Sequence, residues 1–127
     1  MNSPETLTSR RVLVVDDNVD AADSLGALLE IDGHDVRVAH GGHEALQVVQ
    51  GFVPEVAFVD IGMPDMDGYA LAGALRALPS LAGTTLVSLS GYGAPRDRLR
   101  SQASGFDQHL TKPASLEMLY AVLAGLG

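Results

Sequence analysis

The sequence predicts an α/β fold in which five parallel strands form one open, doubly wound sheet with helices on both faces. Three observations predict it. The chain of 127 residues has the length of a single domain. Five short apolar runs alternate with stretches of helical periodicity from about residue 11 onward. Three of these runs are continuous or nearly so, which is typical of parallel strands covered on both faces.

The strands are predicted from these apolar runs. In chain order they cover residues 12–15, 36–39, 56–59, 86–89 and, more weakly, 107–110. The second run alternates between apolar and polar residues as Val36-Arg37-Val38, which is typical of a strand at the edge of a sheet.

The helices are predicted from apolar stripes at helical spacing and from the residues that begin or end them. The stripes consist of Ala21, Ala22, Leu25, Leu28 and Leu29; of Ala45, Leu46, Val48 and Val49; of Leu71, Ala74, Leu75 and Leu78; and of Leu116, Leu119, Tyr120 and Leu123. The boundary residues are Asp32-Gly33 after the first helix, Gly51 and Pro54 after the second, and Asp67-Gly68 and Pro79 around the third. Residues 95–103 are predicted to form a fourth, weakly apolar helix, and the last predicted helix covers residues 115–126 with Ser115 as its N-cap.

The composition is that of a globular domain and excludes several classes of function. Hydrophobic residues make up 46% of the chain and charged residues 19%, which is typical of a folded protein. The formal net charge of −8 argues against direct nucleic-acid binding, since that requires a basic face. The absence of cysteine excludes disulfides and a thiolate nucleophile. No apolar run approaches the roughly 18 residues that a membrane helix needs, so we expect no membrane insertion and a cytoplasmic location.

Polar side chains stand where four of the predicted strands end. They are Asp16 and Asp17, Asp60, Ser90, and Lys112, which is the only lysine of the chain. Right-handed crossovers place the carboxyl ends of parallel strands along one edge, where ligands of such sheets bind, so we expect these side chains to meet in one cleft. Three crowded carboxylates repel one another and favour a bound cation, and an all-oxygen ligand set suits Mg²⁺ or Mn²⁺.

Asp60 is the predicted nucleophile of this cleft. It ends the central apolar run and is followed by Gly62-Met63-Pro64, a tight turn that can offer a backbone carbonyl to the metal. A carboxylate can accept a phosphoryl group and become an aspartyl-phosphate, a reaction that requires mainly positioning and charge neutralisation. Lys112 would bind one phosphoryl oxygen as a point charge, and Ser90 would donate a hydrogen bond to another.

Four segments, VLVVDDN, VDIGMPDMDGYAL, LSGYG and HLTKP, occur in this order, and with them the chain resembles the receiver domain of two-component response regulators. The resemblance covers about residues 11–126 and implies a flavodoxin-like sheet of strand order 2-1-3-4-5. We therefore expect a receiver domain over residues 10–127. Residues 1–9, which are polar and contain Pro4, are predicted to be a disordered lead-in.

The resemblance implies a role for each site residue. It makes Asp60 the phosphoacceptor and a metal ligand, Asp17 a direct Mg²⁺ ligand, Asp16 a ligand through water, Gly62 a carbonyl ligand, Ser90 the switch hydroxyl, and Lys112 the lysine before Pro113. The phosphoryl donor would be a histidine of a sensor histidine kinase or of a histidine phosphotransfer domain. A downstream protein would read the face formed by the fourth helix, the fifth strand and the last helix. The domain would not be an enzyme, apart from Mg²⁺-dependent self-phosphorylation and autodephosphorylation.

One position departs from the family pattern. Three residues before the lysine, where the family usually has Tyr or Phe as a ring that turns inward after phosphorylation, this chain has His109. An imidazole can also rotate, but it is smaller, polar and titratable. Tyr92, two residues after Ser90, is an alternative candidate for that switch ring.

Other functions account for the sequence pattern less completely. A receiver-like interaction module whose output does not depend on phosphorylation stays open as the alternative. A phosphohydrolase of the haloacid dehalogenase type requires a D-x-D pattern after the first strand, and Asp16-Asp17-Asn18 does not match it. An FMN carrier requires a phosphate-binding loop after the first strand. The acidic pair at that place would repel the phosphate group. Both a free-standing receiver and a receiver from a hybrid histidine kinase fit the sequence.

Overall fold

A computed structural model of the chain describes residues 9–64, 66–91, 103–112 and 114–126. Its centre is one sheet of five parallel strands in the order β2-β1-β3-β4-β5. The strands are β1 (Arg11–Val15), β2 (Asp35–Ala39), β3 (Val56–Asp60), β4 (Thr85–Ser90) and β5 (Gln108–Thr111). The predicted fold class and strand order are therefore confirmed, and each predicted strand is found within one or two residues of its expected ends.

Helices cover both faces of the sheet. They are α1 (Val19–Ile31), α2 (Gly42–Val48), α3 (Gly68–Arg76) and a C-terminal helix (Leu116–Ala124), with a short 3₁₀ turn at Pro79–Leu81. One face packs against α2 and α3 through a core that includes Leu13, Val59 and Leu75. The opposite face packs against α1 and the C-terminal helix through a core that includes Val14, Phe58 and Leu119. This is the doubly wound arrangement that the alternating pattern predicts.

Polar side chains begin three of the helices. The side chains of Asn18, Asp67 and Ser115 accept hydrogen bonds from the amides of Ala21, Ala70 and Met118, respectively. Each bond satisfies one backbone N–H that has no partner inside its helix. The predicted N-cap at Ser115 and the predicted start at Asp67 are thus confirmed.

The inward face was predicted wrongly in two helices. Leu28 of α1 is 44% exposed, and Leu116 and Tyr120 of the C-terminal helix are 41% and 42% exposed. In α1 the contact stripe runs through Gly26, where an added Cβ would lie 2.6 Å from Val38 Cγ2, so the helix approaches β2 closely along that line. Leu28 lies to one side of this line and faces solvent.

The exposure of Tyr120 has a polar cause. Its hydroxyl donates a hydrogen bond to Asp32 Oδ2 at 2.6 Å and links the C-terminal helix to the end of α1. This bond raises the pKa of Tyr120 above its usual value, with smaller contributions from desolvation and the Asp32 charge. Val122, which the predicted stripe did not include, is buried instead.

The predicted fourth helix, over residues 95–103, falls almost wholly outside the described residues. Among the helices that the structure does describe, none is long and apolar enough to cross a lipid bilayer.

Glu55 stabilises the amino-terminal edge of the sheet through hydrogen bonds with two arginines. Its carboxylate accepts hydrogen bonds of 3.0 Å from the Arg10 side chain and from the Arg11 amide. Desolvation raises the pKa of Glu55, but those two bonds and the charges of both arginines together outweigh it, so the pKa lies below its usual value. The ionised carboxylate is therefore stabilised by folding.

We predict that Glu55→Gln destabilises the protein by about 1 kcal/mol at pH 7, because it weakens charged hydrogen bonds at a partly exposed site. The folded-state pKa is depressed, so this contribution is present above the unfolded pKa and disappears as the pH falls through the lower folded value. Urea unfolding at pH 7 and at successively lower pH measures the difference.

The exposed Glu30 of α1 provides the control. Glu30→Gln is expected to change the unfolding free energy by no more than about 0.5 kcal/mol. A Glu55→Gln effect that stays constant down to the lowest pH would contradict the assignment.

Candidate functional site

The predicted site residues lie along the carboxyl edge of the sheet. Asp16 directly follows β1, Asp60 and Ser90 are the last residues of β3 and β4, and Lys112 directly follows β5. Backbone pairing aligns these ends, since Asp60 pairs with Leu89 and Ser90 pairs with Thr111. The Lys112 amide continues the ladder by donating to the Ser90 carbonyl at 2.7 Å. Parallel pairing therefore brings residues from four strand ends to one edge.

Three carboxylates meet at this edge. One oxygen from each of Asp16, Asp17 and Asp60 lies within 4.8 Å of the others. Asp16 and Asp60 are buried, whereas Asp17 is exposed. Like charges at this separation repel one another, and the repulsion is stronger where water is partly excluded.

Lys112 offsets part of that charge. Its Nζ lies 2.9 Å from Asp16 Oδ2 and 3.4 Å from Asp60 Oδ2. Desolvation lowers the pKa of Lys112, but the hydrogen bond to Asp16 and the charges of Asp60 and Asp16 outweigh it and raise the pKa overall. The lysine is therefore positively charged and shared between two aspartates.

The surroundings of Asp60 shift the pKa of its carboxyl in opposite directions. Burial raises the pKa of its carboxyl, and the negative charge of Asp16 adds to that effect. The Gly62 amide, which donates to Asp60 Oδ1 at 3.0 Å, and the charge of Lys112 both lower the pKa, but the net pKa remains above its usual value. Loss of negative charge from this carboxylate, or binding of a cation beside it, would reduce the electrostatic repulsion among the aspartates of the pocket.

Asp16 is fixed by contacts on both of its carboxylate oxygens. Oδ1 accepts from the Asn18 amide at 3.0 Å, and Oδ2 accepts from Lys112. The N-cap of α1 is Asn18, so Asp16 does not also cap this helix. Because both Asp16 oxygens already have protein partners, Asp16 is less available than the exposed Asp17 for direct contact with a cation.

The loop after β3 brings Gly62 beside Asp60. The loop turns at Gly68, where an added Cβ would lie 2.5 Å from Ile61 Cα, so only glycine fits this close approach. An added Cβ on Gly62 would lie 3.6 Å from Asp60 Oδ1, so this position has room for a side chain near the carboxylate. Asp67 caps α3, as expected, and its side chain accepts from the Ala70 amide. The neighbouring Asp65 lies outside the described residues.

The acidic cluster fits a hard divalent cation. All its donors are carboxylate oxygens, and they come from the loop after β1 and from the last residue of β3, which the strand register holds together. Oxygen-only sets of this size suit Mg²⁺ or Mn²⁺, which keep several waters and bind phosphoryl oxygens as well. The structure therefore offers a site for a divalent cation directly beside Asp60.

The predicted switch residues are only partly described. Ser90 is buried at the end of β4, and His109 is half-buried in β5. Tyr92 and Pro113 lie outside the described residues. A contact that the sequence analysis missed joins His109 Nδ1 to Ser88 Oγ at 2.6 Å. The available signal was a serine inside the apolar run TLVSLS, where a fully buried strand residue is normally apolar.

Known proteins share this chain's sequence pattern and architecture. Residues 12–124 match the family described as the response regulator receiver domain. The chain is 38% identical over 119 residues to the uncharacterised 14.6 kDa protein in the sodA1 3′ region of Leptolyngbya boryana, covering 93% of this chain and 91% of that protein. It spans 44% and 51% of the lengths of two mycobacterial transcriptional regulatory proteins that it also matches.

Two solved structures illustrate the similarity in fold. The chemotaxis response regulator CheY4 of Vibrio cholerae has a TM-score of 0.86 and 28% identity, covering 94% of this chain and 100% of that chain. A Saccharomyces cerevisiae complex of the histidine phosphotransfer protein Ypd1 with the receiver domain of its downstream response regulator Ssk1 gives a TM-score of 0.84 and 26% identity. That match covers 94% of this chain and 89% of that chain.

We predict that Asp60→Asn stabilises the metal-free protein by about 1 kcal/mol at pH 7, because it removes a buried carboxylate whose pKa is raised in the folded state. A raised folded-state pKa means that the ionised carboxylate opposes folding; this cost grows as the pH rises above the unfolded pKa and is complete above the folded pKa. The gain should therefore disappear at acid pH, where the carboxyl is protonated in both states.

Urea unfolding in the presence of a chelator measures this gain. Glu30→Gln, which removes an exposed carboxylate far along α1, serves as the control and is expected to produce little change. A destabilised Asp60→Asn protein at neutral pH would refute the view that charge repulsion governs the pocket.

Proposed function

Because this chain belongs to the response regulator receiver domain family, we propose that Asp60 accepts a phosphoryl group from a partner's histidine and that this event switches a protein-binding surface. Domains of this family act in phosphorelay signalling. We assign the receiver domain to residues 10–127 and retain residues 1–9 as a lead-in. The observation that carries the proposal is the pocket in which Asp60 lies beside two further aspartates and 3.4 Å from Lys112.

The proposed transfer is a direct displacement at phosphorus. A carboxylate oxygen of Asp60 forms a new O–P bond while the N–P bond of the phosphohistidine breaks, and the electron pair of that bond stays on the imidazole nitrogen. In autodephosphorylation, a water oxygen forms a new bond to phosphorus while the O–P bond to Asp60 breaks, which releases the Asp60 carboxylate and inorganic phosphate. The domain turns over no external metabolite and acts only on its own phosphoryl group.

The residues around Asp60 have separate proposed roles in binding the metal and in orienting the Asp60 carboxylate. Asp17, which is exposed, is the proposed direct metal ligand together with Asp60 and the Gly62 carbonyl, and Asp16 contributes through water. When bound, Mg²⁺ would neutralise charge on the oxygens that gather around the phosphorus. The Gly62 amide already donates to Asp60 Oδ1, which leaves Oδ2, the oxygen nearer to Lys112, as the attacking oxygen.

Lys112 and Ser90 would bind the phosphoryl oxygens. Lys112 Nζ lies within contact distance of Asp60, so a small movement away from Asp16 would bring it onto a phosphoryl oxygen. Ser90 ends the strand adjacent to Asp60 and would donate its hydroxyl proton to another phosphoryl oxygen. Movement of Ser90 would then pull on the end of β4 and alter the surface around β5.

The partners follow from this chemistry. The Ypd1 complex contains a receiver domain similar to this chain, which supports a histidine phosphotransfer domain or a sensor histidine kinase as the donor. A downstream protein is proposed to read the face formed by the fourth helix, β5 and the C-terminal helix. Signalling of this kind is expected in the cytoplasm. The alternative function is an interaction module whose output does not depend on phosphorylation. A wild-type protein that is not labelled at Asp60 would favour this alternative over the phosphoacceptor.

We predict that acetyl phosphate with Mg²⁺ adds one phosphoryl group to the wild-type protein and none to Asp60→Asn. Lys112→Ala should lower the labelling rate by at least about tenfold, since the charge beside the developing phosphoryl oxygens is lost. Intact-protein mass spectrometry measures the adduct. Glu30→Gln is the matched control and should label at the wild-type rate. Equal labelling of wild type and Asp60→Asn would contradict the assignment of the phosphoacceptor.

We also predict that Asp17→Asn weakens Mg²⁺ binding by at least about tenfold, because it removes a direct ligand. Asp20→Asn removes the same charge from the first turn of α1 without touching the proposed ligand set, so it should weaken binding much less. Calorimetric titration with Mg²⁺ provides the comparison. If the two variants lose affinity equally, only the net charge of the pocket matters and Asp17 is not a ligand.

A further inference from the structure

We propose that Ser88 is a positioning residue that fixes His109 as its Nδ1–H tautomer and in one ring orientation. Two contacts support this: Ser88 Oγ lies 2.6 Å from His109 Nδ1, and the Ser88 hydroxyl donates to the Gln108 carbonyl at 3.4 Å. Only the consequence for signalling, taken up below, rests on the proposed function.

The burial of Ser88 is the first argument. Ser88 has no solvent exposure and lies in β4 between the buried Val87 and Leu89. A buried hydroxyl without a hydrogen bond costs on the order of 1–3 kcal/mol, so packing alone does not account for a serine here. The 2.6 Å contact with His109 accounts for it.

The strand register is the second argument. Ser88 pairs with His109 across β4 and β5, so their side chains project from the same face of the sheet at adjacent positions. Leu110, the next residue of β5, belongs to the core of the opposite face. The contact is therefore built into the sheet and does not depend on a flexible loop.

The direction of the hydrogen bonds determines the tautomer. The Ser88 hydroxyl has a single proton, and the Gln108 carbonyl, 3.4 Å away, can only accept. If the hydroxyl donates to that carbonyl, it can only accept from His109, so Nδ1 carries the proton. Nε2, which is buried in the protein, is then the acceptor nitrogen of the ring.

The contact is two residues from the proposed phosphoryl site. Ser90 and Ser88 lie on the same face of β4, and the Ser90 carbonyl accepts from the Lys112 amide. If phosphorylation draws Ser90 inward, the end of β4 moves, and the Ser88 hydroxyl moves with it relative to His109. Ser88 would thus couple the proposed site to the β5 surface through a polar contact, where the family usually relies on an aromatic ring.

Nitrogen-15 NMR of the full chain tests the positioning. At mildly alkaline pH, where imidazoles are generally neutral, long-range ¹H–¹⁵N correlations should identify Nδ1 as the protonated nitrogen of His109. Ser88→Ala should shift His109 to the Nε2–H form or to a mixture, whereas Ser88→Thr, which keeps the hydroxyl, should retain Nδ1–H. Ser24→Ala, at an exposed serine of α1, is the control and should change nothing. A wild-type His109 in the Nε2–H form would overturn the proposal whether or not the variants fold.

A second measurement separates this inference from the proposed function. Beryllofluoride with Mg²⁺ should shift the His109 ¹⁵N signals of the wild type, and this shift should be at least halved in Ser88→Ala. An equal shift in both proteins would refute the coupling. If acetyl phosphate fails to label wild-type Asp60, the proposed function fails instead, and the tautomer measured without phosphorylation still decides the role of Ser88.

Discussion

The ion pairs of Lys112 with Asp16 and Asp60 are the interaction on which the site depends. The pair with Asp16 joins residues that are 96 positions apart in the chain. Both pairs form only because β1, β3 and β5 end at the same edge of one parallel sheet. Without the lysine, three carboxylates would share a partly buried pocket in which no other described residue forms an ion pair with Asp16 or Asp60. With it, the pocket keeps a net negative charge that favours a divalent ion and yet has a positive group positioned for a phosphoryl oxygen.

The apolar packing on both faces of the sheet positions the strand ends at which the ion pairs of the pocket form. Every residue of β3 is buried, and the side chains of this strand alternate between the two cores. Asp60 is the last of these residues, so the rigid strand places its carboxylate where a loop could not hold it as accurately. The amide of Gly62 then orients one carboxylate oxygen, which distinguishes the two oxygens before any ligand arrives.

The two faces of the sheet differ at β4 and β5. Over β1 and β3 the face toward α2 and α3 is apolar, with Leu13, Val15, Ala57 and Val59. Over the carboxyl halves of β4 and β5 the same face presents Ser88, Ser90, His109 and Thr111. Hydrogen bonds are directional and break over small displacements, whereas apolar contacts adjust gradually. These polar side chains lie close to Asp60, the proposed phosphoacceptor. Their hydrogen bonds are therefore suited to respond to a small movement of a strand end.

The fold class, the five strands and the four strand ends that form the pocket follow from the sequence alone. Short apolar runs specify buried parallel strands locally, and parallel topology brings their carboxyl ends together without further information. The sequence did not determine which helix residues face inward, as Leu28 and Tyr120 show, because helix rotation depends on contacts such as the close approach of Gly26 to Val38. Nor did it predict the sharing of Lys112 between two aspartates or the bond from Ser88 to His109. Those interactions depend on strand register and on distances of a few ångströms, which only the assembled sheet decides.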